Sequence, residues 1–489
     1  MSLTRKFSGR LCSALLSLTL LSLPLARTVH ATTTTTYTVT DIAQAYSVNS
    51  TEARSMNAAD QIVGYLYPSV GGLHTFVYDN ATLYDIDAEL GSGYTDFNYN
   101  ISTGLNTGVN GEINAHGQLV GVAYTAANAD MRAVYYDAQS VHVVGTLGGS
   151  WSYPRAINAD GQLAGVSLTA GNEQHAFLYD TTNGLQDLGT LGGTMSTAAG
   201  LNNNGQVVGW AATSTGAQHA FRYDATTGMQ DLGTLGGSES MAYNINDSGH
   251  VVGAAYTTGG ALHAFLYDAT GMHDLTPDST DSIAVAINNA GQVAGYATDT
   301  NGAHYAFVYD STGLHQLSLG GSTIEIRYFT EGGLVAGQAD TSANVSEGFL
   351  YDGTTMHALA LPDTTYSELS AFNDSGTAAG YAIIGDEMHA YLYDATGVHD
   401  LVTDSAYSMA DAVSSTAQGV GLADTADGQN QYVFSYQSGV LTNLNSATAG
   451  SGYELYIPMG ISNDGHIVCN GGGSGGDRAL LLTPTVVEE

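Results

Sequence analysis

One motif recurs along this chain at nearly constant spacing, and this repetition constrains the fold more than any other feature. The motif reads HAFLYD or a close variant, and its ten copies begin at residues 74, 132, 175, 219, 263, 305, 347, 389, 431 and 478. Most successive copies start 42 to 44 residues apart, and the last two, QYVFSY and RALLLT, are degenerate. The sequence therefore predicts one repeated structural unit instead of a series of unrelated domains.

Each repeat contains four short runs that are typical of β-strands. In one repeat they are SMAYNIN (240–246), HVVGAAY (250–256), HAFLYD (263–268) and GMHDLT (271–276). The connections NDSG and DATG have the glycine, Asn and Asp of tight turns. Short strands joined by tight turns predict an antiparallel four-stranded meander.

Both faces of such a sheet need to be covered. In HAFLYD (263–268), Ala264 and Leu266 point to one face while Phe265 and Tyr267 point to the other. A sheet packed on both faces, with about 40 to 50 residues per four-stranded unit, is typical of a β-propeller blade. We predict an all-β fold, a β-propeller of about ten four-stranded antiparallel blades. Two smaller propellers are the alternative.

The two ends of the repeat region complement each other. Residues 39–42 (VTDI) match the fourth-strand residues 185–188 (LQDL), although no first three strands precede them. The chain ends after RALLLT (478–483), a third strand with no fourth strand after it. We therefore expect an N-terminal strand to complete the last blade and close the ring, which removes exposed sheet edges.

The first 31 residues have the pattern of a secretory signal peptide. Arg5, Lys6 and Arg10 precede a short apolar run, and VHA (29–31) provides small residues for cleavage. The predicted domains are thus a signal peptide at 1–31 and the propeller at 32–489, in a protein that is secreted, periplasmic or on the cell surface. With one cysteine left after cleavage, Cys469, no intramolecular disulfide is expected.

The charge balance limits the class of partner. The whole chain has 10 cations, 46 acids and a net charge of −36, and four of the cations lie in the predicted signal peptide. Such a negative protein repels nucleic acid and anionic membranes. We expect neither of these partners, no membrane insertion, and a monomer.

The repeat resembles the bacterial extracellular HAF-repeat family. The resemblance rests on His-Ala-Phe at 175–177, 219–221 and 263–265, on LGTLGG at 188–193, and on INADGQLAG at 157–165. It extends over essentially the whole chain after residue 31 and fades at 431–436 and 478–483. The resemblance implies an exported repeat protein, and it carries no established activity or catalytic residues over to this chain.

The recurring histidines suggest metal ligands, but their spacing favours a structural role. His74, His175, His219, His263 and His389 each start a third strand in a different repeat, and equivalent positions in neighbouring blades are too far apart to share one ion. We predict hydrogen bonds instead, for example to the Ser or Thr of the LGG[ST] turn. Turns such as NADG (158–161) are interpreted as Asx turns. Calcium binding is the alternative for these turns, and no other cofactor is predicted.

Three arginines interrupt one register position that is otherwise uncharged or acidic. Arg54, Arg155 and Arg327 stand three residues before the Asn or Thr that ends a first strand, where other repeats have Ala199, Tyr243, Val285, Ser370 and Asp411. First strands line the channel of a propeller. The arginines are therefore candidates for binding an anion or an acidic sugar, and ion pairs with neighbouring carboxylates are the competing interpretation.

Aromatic residues outside the repeat consensus lie in the loops that join one repeat to the next. Aromatic platforms bind sugar rings by apolar stacking, so these residues are candidate ligand contacts, although they could instead pack their own loops. The predicted set is Trp151, Tyr153, Tyr366, Tyr407, Tyr453 and Tyr456. An insertion at 88–104 is expected to be a surface loop with a functional role.

No recognisable catalytic motif is present. No GxSxG elbow, HExxH helix, phosphate-binding loop or cysteine nucleophile stands in a recognisable setting. We therefore predict an exported, non-enzymatic β-propeller that binds carbohydrate, a glycan or an extracellular or cell-surface protein, through its loop face and channel mouth. The alternatives are a carbohydrate-active hydrolase or lyase, with Asp411 and Glu325 as possible members of its site, and a purely structural surface protein.

Overall fold

The computed structural model of the protein describes residues 33–98, 113–127 and 130–488. Residues 36–485 form one compact unit, and the terminal residues on either side are grouped separately from it. The predicted signal peptide and residues 99–104 of the predicted insertion lie outside the described residues. No helix in the described part of the chain is long and apolar enough to span a membrane.

The described residues fold into four-stranded antiparallel units, which we name sheets 1 to 10 in chain order. An N-terminal strand, β1 (Thr33–Asp41), precedes sheet 1 and belongs to sheet 10. The strands of sheets 1 to 5 are β2 (Val48–Met56), β3 (Ile62–Pro68), β4 (His74–Asp79) and β5 (Thr82–Asp85); β6 (Tyr94–Asn98), β7 (Leu119–Thr125), β8 (Met131–Tyr136) and β9 (Val141–Gly145); β10 (Gly148–Ile157), β11 (Leu163–Thr169), β12 (Gln174–Asp180) and β13 (Gly184–Asp187); β14 (Gly192–Leu201), β15 (Val207–Thr213), β16 (Gln218–Asp224) and β17 (Gly228–Asp231); β18 (Gly236–Ile245), β19 (Val251–Thr257), β20 (Leu262–Asp268) and β21 (Gly271–Asp274).

The second half of the chain continues the same pattern. The strands of sheets 6 to 10 are β22 (Asp281–Ile287), β23 (Val293–Thr298), β24 (His304–Asp310) and β25 (Gly313–Leu317); β26 (Gly320–Phe329), β27 (Val335–Thr341), β28 (Ser346–Tyr351) and β29 (Met356–Leu359); β30 (Thr364–Phe372), β31 (Ala378–Ile384), β32 (Glu387–Asp394) and β33 (Gly397–Asp400); β34 (Ser408–Val413), β35 (Gly419–Asp424), β36 (Gln431–Gln437) and β37 (Val440–Asn443); β38 (Glu454–Ile461), β39 (Ile467–Gly473) and β40 (Gly476–Glu488). Two short helices, α1 (Ile86–Leu90) and α2 (Leu444–Ala447), follow β5 and β37.

The predicted all-β class and the four-stranded antiparallel meander are confirmed. In sheet 5, each of the four runs expected from the sequence overlaps one of the strands β18 to β21, in that order across the sheet. Sheets 2, 3 and 4 are additionally joined into one twelve-stranded sheet by single parallel bridges, Met131 to Trp151 and Gln174 to Met195.

Sheet 10 combines strands from the two ends of the compact unit. Its strand order is β1-β40-β39-β38, so β1 occupies the fourth-strand position that the sequence assigns to residues 39–42. The backbone N–H of Ile42 donates to the carbonyl of Ala479 at 3.2 Å. The C-terminal strand is therefore paired on both sides.

The core lies between consecutive sheets, because each sheet is apolar on both faces. In sheet 5, Phe265 packs on the face toward sheet 4, against Val208 and Leu232. Ala264 packs on the opposite face with Ala284 and Phe307 of sheet 6. One such cluster also joins sheet 10 to sheet 1. The sheets are thus held face to face by burial of apolar surface.

In several pairs of neighbouring sheets, a serine of the first strand links the two sheets through hydrogen bonds. The backbone N–H of Ala220 in sheet 4 donates to Oγ of Ser240 in sheet 5 at 2.9 Å, and that hydroxyl donates to the carbonyl of Gly233 at 2.5 Å. Ser152, Ser196, Ser282 and Ser408 accept the equivalent bond. These serines are buried, so the bonds satisfy polar groups that the packing removes from water.

The described part of the predicted insertion is not simply a surface loop. Residues 86–90 form helix α1, whose first residue Ile86 is buried and whose N-cap Asp85 accepts a bond from the N–H of Ala88. Residues 94–98 form β6, the first strand of sheet 2. The prediction of a loop is wrong here because Asp85 supplies a helix cap and the following residues pair with β7.

Candidate ligand-binding site

A β-bulge in the first strand determines where the predicted arginines point. The pairing of β10 with β11 passes from Pro154–Gly165 to Ala156–Ala164, so Arg155 is the extra residue. The partner must be glycine, because a Cβ on Gly165 would lie 2.3 Å from the carbonyl oxygen of Tyr153. Bulges turn a side chain out of the regular alternation of the strand.

The same bulge recurs along the chain. In the described first strands, the extra residues are Arg54, Arg155, Ala199, Tyr243, Val285, Arg327, Ser370, Asp411 and Met459. The register position that the sequence singles out is therefore the bulge position. Three of these nine sheets present an arginine at this point of the repeated backbone, and the other six present six other residue types.

The structure brings three of the predicted residues together. Trp151, Tyr153 and Arg155 lie on β10 and line one cavity of about 530 Å³. The exposed guanidinium of Arg155 lies over the Tyr153 ring, 5.2 Å from its centroid. The remaining lining residues are Asp130, Met131, Ser150, Val166 and Gln174. The volume is within the range of about 300 to 1,000 Å³ that is common for small-ligand sites.

The indole of Trp151 is available to a ligand. No ring or cation of the described residues pairs with it, and its N–H has no hydrogen-bond partner among them. The other tryptophan, Trp210, instead packs edge-on against Tyr243 with ring centroids 6.5 Å apart. A part-buried indole on a cavity wall offers an apolar face and one hydrogen-bond donor.

Arg132 fixes one wall of the cavity. Its Nη1 donates to the carbonyl of Ser150 at 2.8 Å, and its Nη2 lies 3.2 Å from Oδ2 of Asp130. Arg132 occupies the third-strand position that is histidine in other sheets, as the sequence predicts. On the adjoining wall, Nε2 of Gln174 donates to Oγ1 of Thr197 in sheet 4 at 2.7 Å. Both walls are therefore held by bonds between sheets or strands.

The other two predicted arginines have carboxylate partners. Nη2 of Arg54 lies 3.2 Å from Oε1 of Glu52, on the exposed part of β2. Arg327 contacts Glu368 of the next sheet through Nη1, and its Nε lies 3.4 Å from Oε2 of Glu325. Partial burial lowers the pKa of Arg327 while Glu368 and Glu325 raise it, and the net direction is upward. These two arginines follow the ion-pair interpretation, whereas no carboxylate among the described residues pairs with Arg155.

Tyr366 and Tyr407 both lie near Tyr381, away from the cavity, and Tyr366 shares its partner Glu368 with Arg327. The hydroxyl of Tyr366 donates to Glu368, and its ring packs 6.1 Å from that of Tyr381. Burial, with a contribution from Glu368, raises the pKa of Tyr366. Tyr407 donates to Sδ of Met409 at 3.3 Å. Both hydroxyls thus bond to the residue two positions further along the chain.

Tyr453 and Tyr456 belong to a third location, in sheet 10. The hydroxyl of Tyr453 donates to Oδ2 of Asp41 at 3.2 Å, and Nε of Arg478 lies 3.3 Å from the same oxygen. Tyr456 is 47% exposed. The predicted aromatic residues therefore divide among three places, and one of these contains the cavity at Trp151.

Asp411 and Glu325, named from the sequence as possible catalytic acids, have different surroundings. Glu325 pairs with Arg327. Oδ2 of Asp411 is buried and has no hydrogen-bond partner in the described part of the chain. Burial raises the pKa of Asp411 to about 7. The structure gives no contact between the two acids.

The recurring histidines form structural hydrogen bonds, but with a partner other than the expected one. Nδ1 of His175 lies 2.9 Å from Asp187 at the end of the fourth strand, and His219 pairs in the same way with Asp231. His74, His263 and His389 have equivalent partners. The Ser or Thr of the LGG[ST] segment is not the partner because Asp187 pairs with Phe177, two residues from His175 on the same face of the third strand, and this brings its carboxylate within reach of the imidazole.

Side chains of Asn stabilise several turns after the first strands, and the turn of sheet 4 is an Asx turn, because Oδ1 of Asn202 accepts from the N–H of Asn204 at 3.1 Å. Oδ1 of Asn158 accepts from the N–H of Gln162 at 2.9 Å, and Nδ2 of the same residue donates to the carbonyl of Asn202 in the next sheet. Among the described residues, no group of three His, Cys, Asp or Glu is arranged to hold a metal ion. Calcium binding at these turns stays a prediction.

Sequence reasoning missed several residues of the cavity. Asp130, Met131, Ser150, Val166 and Gln174 are unremarkable in the repeat pattern. One available signal was Arg132 in place of the third-strand histidine, since a longer side chain there can reach the start of the next first strand. The contributions of Val166 and Gln174 depend on tertiary packing and have no comparable signal.

The chain is thus an all-β protein of repeated four-stranded antiparallel sheets with a cavity beside the first strand of sheet 3. A model of a protein family of unknown function (DUF3466) matches residues 231–319, which cover sheets 5 and 6. No curated protein matches the chain.

Several solved structures are similar to this chain at low sequence identity. The β-propeller domain of the Trilobed protease from Pyrococcus furiosus is 12% identical, with a TM-score of 0.31 over 60% of this chain and 97% of that chain. The BP39L lectin from Burkholderia pseudomallei is 9% identical, with a TM-score of 0.32 over 63% and 98%. Dipeptidyl peptidase 4 from Porphyromonas gingivalis is 12% identical, with a TM-score of 0.41 over 87% and 64%.

Proposed function

We propose that this protein is an exported β-propeller that binds carbohydrate in the cavity beside Trp151, without catalysing a reaction. The observation that carries the proposal is the convergence of Trp151, Tyr153 and Arg155 on one cavity of about 530 Å³. An indole face stacks on the apolar face of a sugar ring. The indole N–H, the guanidinium and the side chain of Gln174 provide polar groups for the hydroxyls.

The proposed ring consists of ten blades and is closed by β1. Support comes from the shared core clusters, which link each sheet to the next and sheet 10 to sheet 1, and from the place of β1 beside β40. Class averages from negative-stain electron microscopy should show one ring. Two smaller rings would contradict this part of the proposal.

Export is tested by identifying the first residue of the protein that is recovered after expression. When the chain with residues 1–31 intact is expressed in a bacterium, the protein recovered outside the cytoplasm should begin at Thr32. N-terminal sequencing gives the cleavage site. Protein that is retained in the cytoplasm and still begins at Met1 would contradict export.

Carbohydrate binding is tested by a glycan array followed by calorimetric titration of the best glycan. Replacement Trp151→Ala should lower affinity at least tenfold, about 1.4 kcal/mol, because the stacking platform is lost. Met195 occupies the equivalent position in sheet 4, so Met195→Ala is the matched control and should leave affinity unchanged. Absence of any array signal at high protein concentration, or an equal loss in both variants, would contradict the proposal.

A further experiment with the same glycan separates binding from hydrolase or lyase activity. Incubation of the bound glycan with the protein should return it intact when analysed by mass spectrometry. Release of a shorter product that disappears in Asp411→Asn or Glu325→Gln would favour the enzyme.

A further inference from the structure

We propose that the glycan taken by this cavity carries an anionic group, a carboxylate or a sulfate ester, which binds to the guanidinium of Arg155. This inference rests on the proposed carbohydrate-binding function and adds the class of sugar. It also adds a division of roles within the cavity, with Trp151 holding the ring and Arg155 selecting the charge.

Arg155 differs from the two arginines that share its bulge position. Arg54 and Arg327 have carboxylates within 3.4 Å, so part of their hydrogen-bonding capacity is already used. Among the described residues, Arg155 has no ion pair, and its guanidinium lies over the face of the Tyr153 ring. A guanidinium that lies over a ring keeps its N–H groups at its edge, where they point away from the ring.

Arginine stays charged at any physiological pH, and its fork of donors matches the two oxygens of a carboxylate or sulfate. The Tyr153 ring holds the guanidinium in place, which lowers the conformational entropy lost on binding. A neutral sugar would leave this cation without a counter-charge. An acidic sugar on Trp151 would supply one at the same cavity.

The charge of the whole protein limits which acidic glycans fit. The chain has a net charge of −36 and only 10 cations, so a densely charged polyanion is repelled before it reaches Arg155. Repulsion falls off within about 8 Å at physiological ionic strength. The negative charge of the protein therefore favours a glycan with a single acidic sugar flanked by neutral sugars.

The test compares an oligosaccharide that contains one uronic acid with its carboxyl-reduced, neutral counterpart and with a form carrying one sulfate at the same sugar. The full chain should bind at least one charged form tenfold more tightly than the neutral form in calorimetric titration. The two charged arms then distinguish carboxylate from sulfate.

The variants assign that preference to one residue. Arg155→Gln should reduce affinity for the charged sugar to that for the neutral one, while leaving neutral binding within twofold. Arg155→Lys should recover part of the preference because it keeps the charge without the fork. Arg54 occupies the same register but lies outside the cavity lining, so Arg54→Gln is the matched control and should leave the preference unchanged.

Each outcome has a separate meaning. Equal binding of charged and neutral forms overturns this inference and leaves the proposed function standing, as long as Trp151→Ala lowers that binding at least tenfold. A preference that survives in Arg155→Gln also overturns the inference. If no form binds, the proposed function itself fails.

Discussion

Arg155 and Arg327 occupy equivalent bulges on the first strands of two sheets. The guanidinium of Arg327 is ion-paired, whereas that of Arg155 lies over an aromatic ring. Arg327 is held by Glu325 on its own strand and by Glu368 on the next sheet. Arg155 has Tyr153 at the position of Glu325 and Thr197 at the position of Glu368. The backbone is repeated, so the difference comes from two side chains.

The comparison shows how a repeat protein can separate structure from recognition. A glycine opposes the bulge in eight of the nine bulged first strands, and Cys469 takes its place in sheet 10. The backbone is thus repeated, and the residue at the bulge can vary. Neighbours two residues earlier, and on the next sheet, decide whether a cation there is part of an ion pair or available to a ligand. The predictions below alter those neighbours, or the bulge residue itself.

The largest effect is expected at Asp411, where the bulge carries an acid that has no cationic partner in the described part of the chain. Burial raises its pKa to about 7, against about 3.9 in an unfolded chain. The folded state holds this proton more tightly, so Asp411 costs the protein stability progressively as pH rises from about 4 to 7. Asp411→Asn should therefore raise the free energy of unfolding by about 3 kcal/mol at pH 8.5 and by little at pH 4.

Urea-induced unfolding at the two pH values measures this difference. Asp374→Asn, at an exposed turn position, is the control and should change stability at neither pH. A stabilisation of Asp411→Asn that is equal at pH 4 and 8.5 would show that the charge of Asp411 is not its cause.

The second effect concerns Arg327. Arg327→Gln removes a cation that contacts two carboxylates and donates to the carbonyl of Leu369 at 3.1 Å. Glu368, whose side chain is 21% exposed, would lose its cationic partner. We expect a loss of about 2 kcal/mol in the free energy of unfolding. The matched variant Arg155→Gln should change stability by less than about 0.5 kcal/mol, and comparable losses in both would remove the distinction.

Much of the fold, and less of the site, could be predicted from the sequence. Period-2 alternation in HAFLYD and the NDSG and DATG turns identify the strands, because both are local properties of the chain. A glycine within a strand, such as Gly165, is itself a sequence signal for a bulge, although it does not show which way the bulged side chain points. Which atoms meet across sheets, such as Arg327 with Glu368, depends on packing that no local pattern encodes.

The histidines illustrate the same limit. Their structural role follows from their spacing, but the choice of Asp187 over a Ser or Thr as the partner of His175 depends on cross-strand neighbours. Likewise, Trp151, Tyr153 and Arg155 could be selected as departures from the repeat. The sequence could not indicate that these three share a cavity while Tyr366, Tyr407 and Tyr453 bond to their own surroundings.

The third prediction concerns a variant in which Arg155 gains a neighbouring carboxylate like that of Arg327. Tyr153→Glu places a carboxylate where Glu325 stands relative to Arg327. The new acid should occupy the guanidinium, so affinity for the charged glycan should fall about tenfold, or about 1.4 kcal/mol. Met241→Glu, at the same position in sheet 5 where the bulge residue is Tyr243, is the control. Unchanged affinity in Tyr153→Glu would mean that Arg155 does not contact the ligand.

The smallest effect is expected at Arg54. It has one carboxylate partner, whereas Arg327 has two and Arg155 has none among the described residues. It has an acid partner, Glu52, but the two side chains are 41% and 38% exposed, and the guanidinium also lies over the Tyr65 ring. Water and salt screen such a pair, so Arg54→Gln should cost less than about 0.5 kcal/mol of stability in urea unfolding. The residual cost should fall further in 0.5 M salt. If Arg54→Gln lost as much stability as Arg327→Gln, one neighbouring carboxylate would be enough to explain the contribution of either arginine. A small loss means instead that the larger contribution of Arg327 comes from its second carboxylate and its deeper burial.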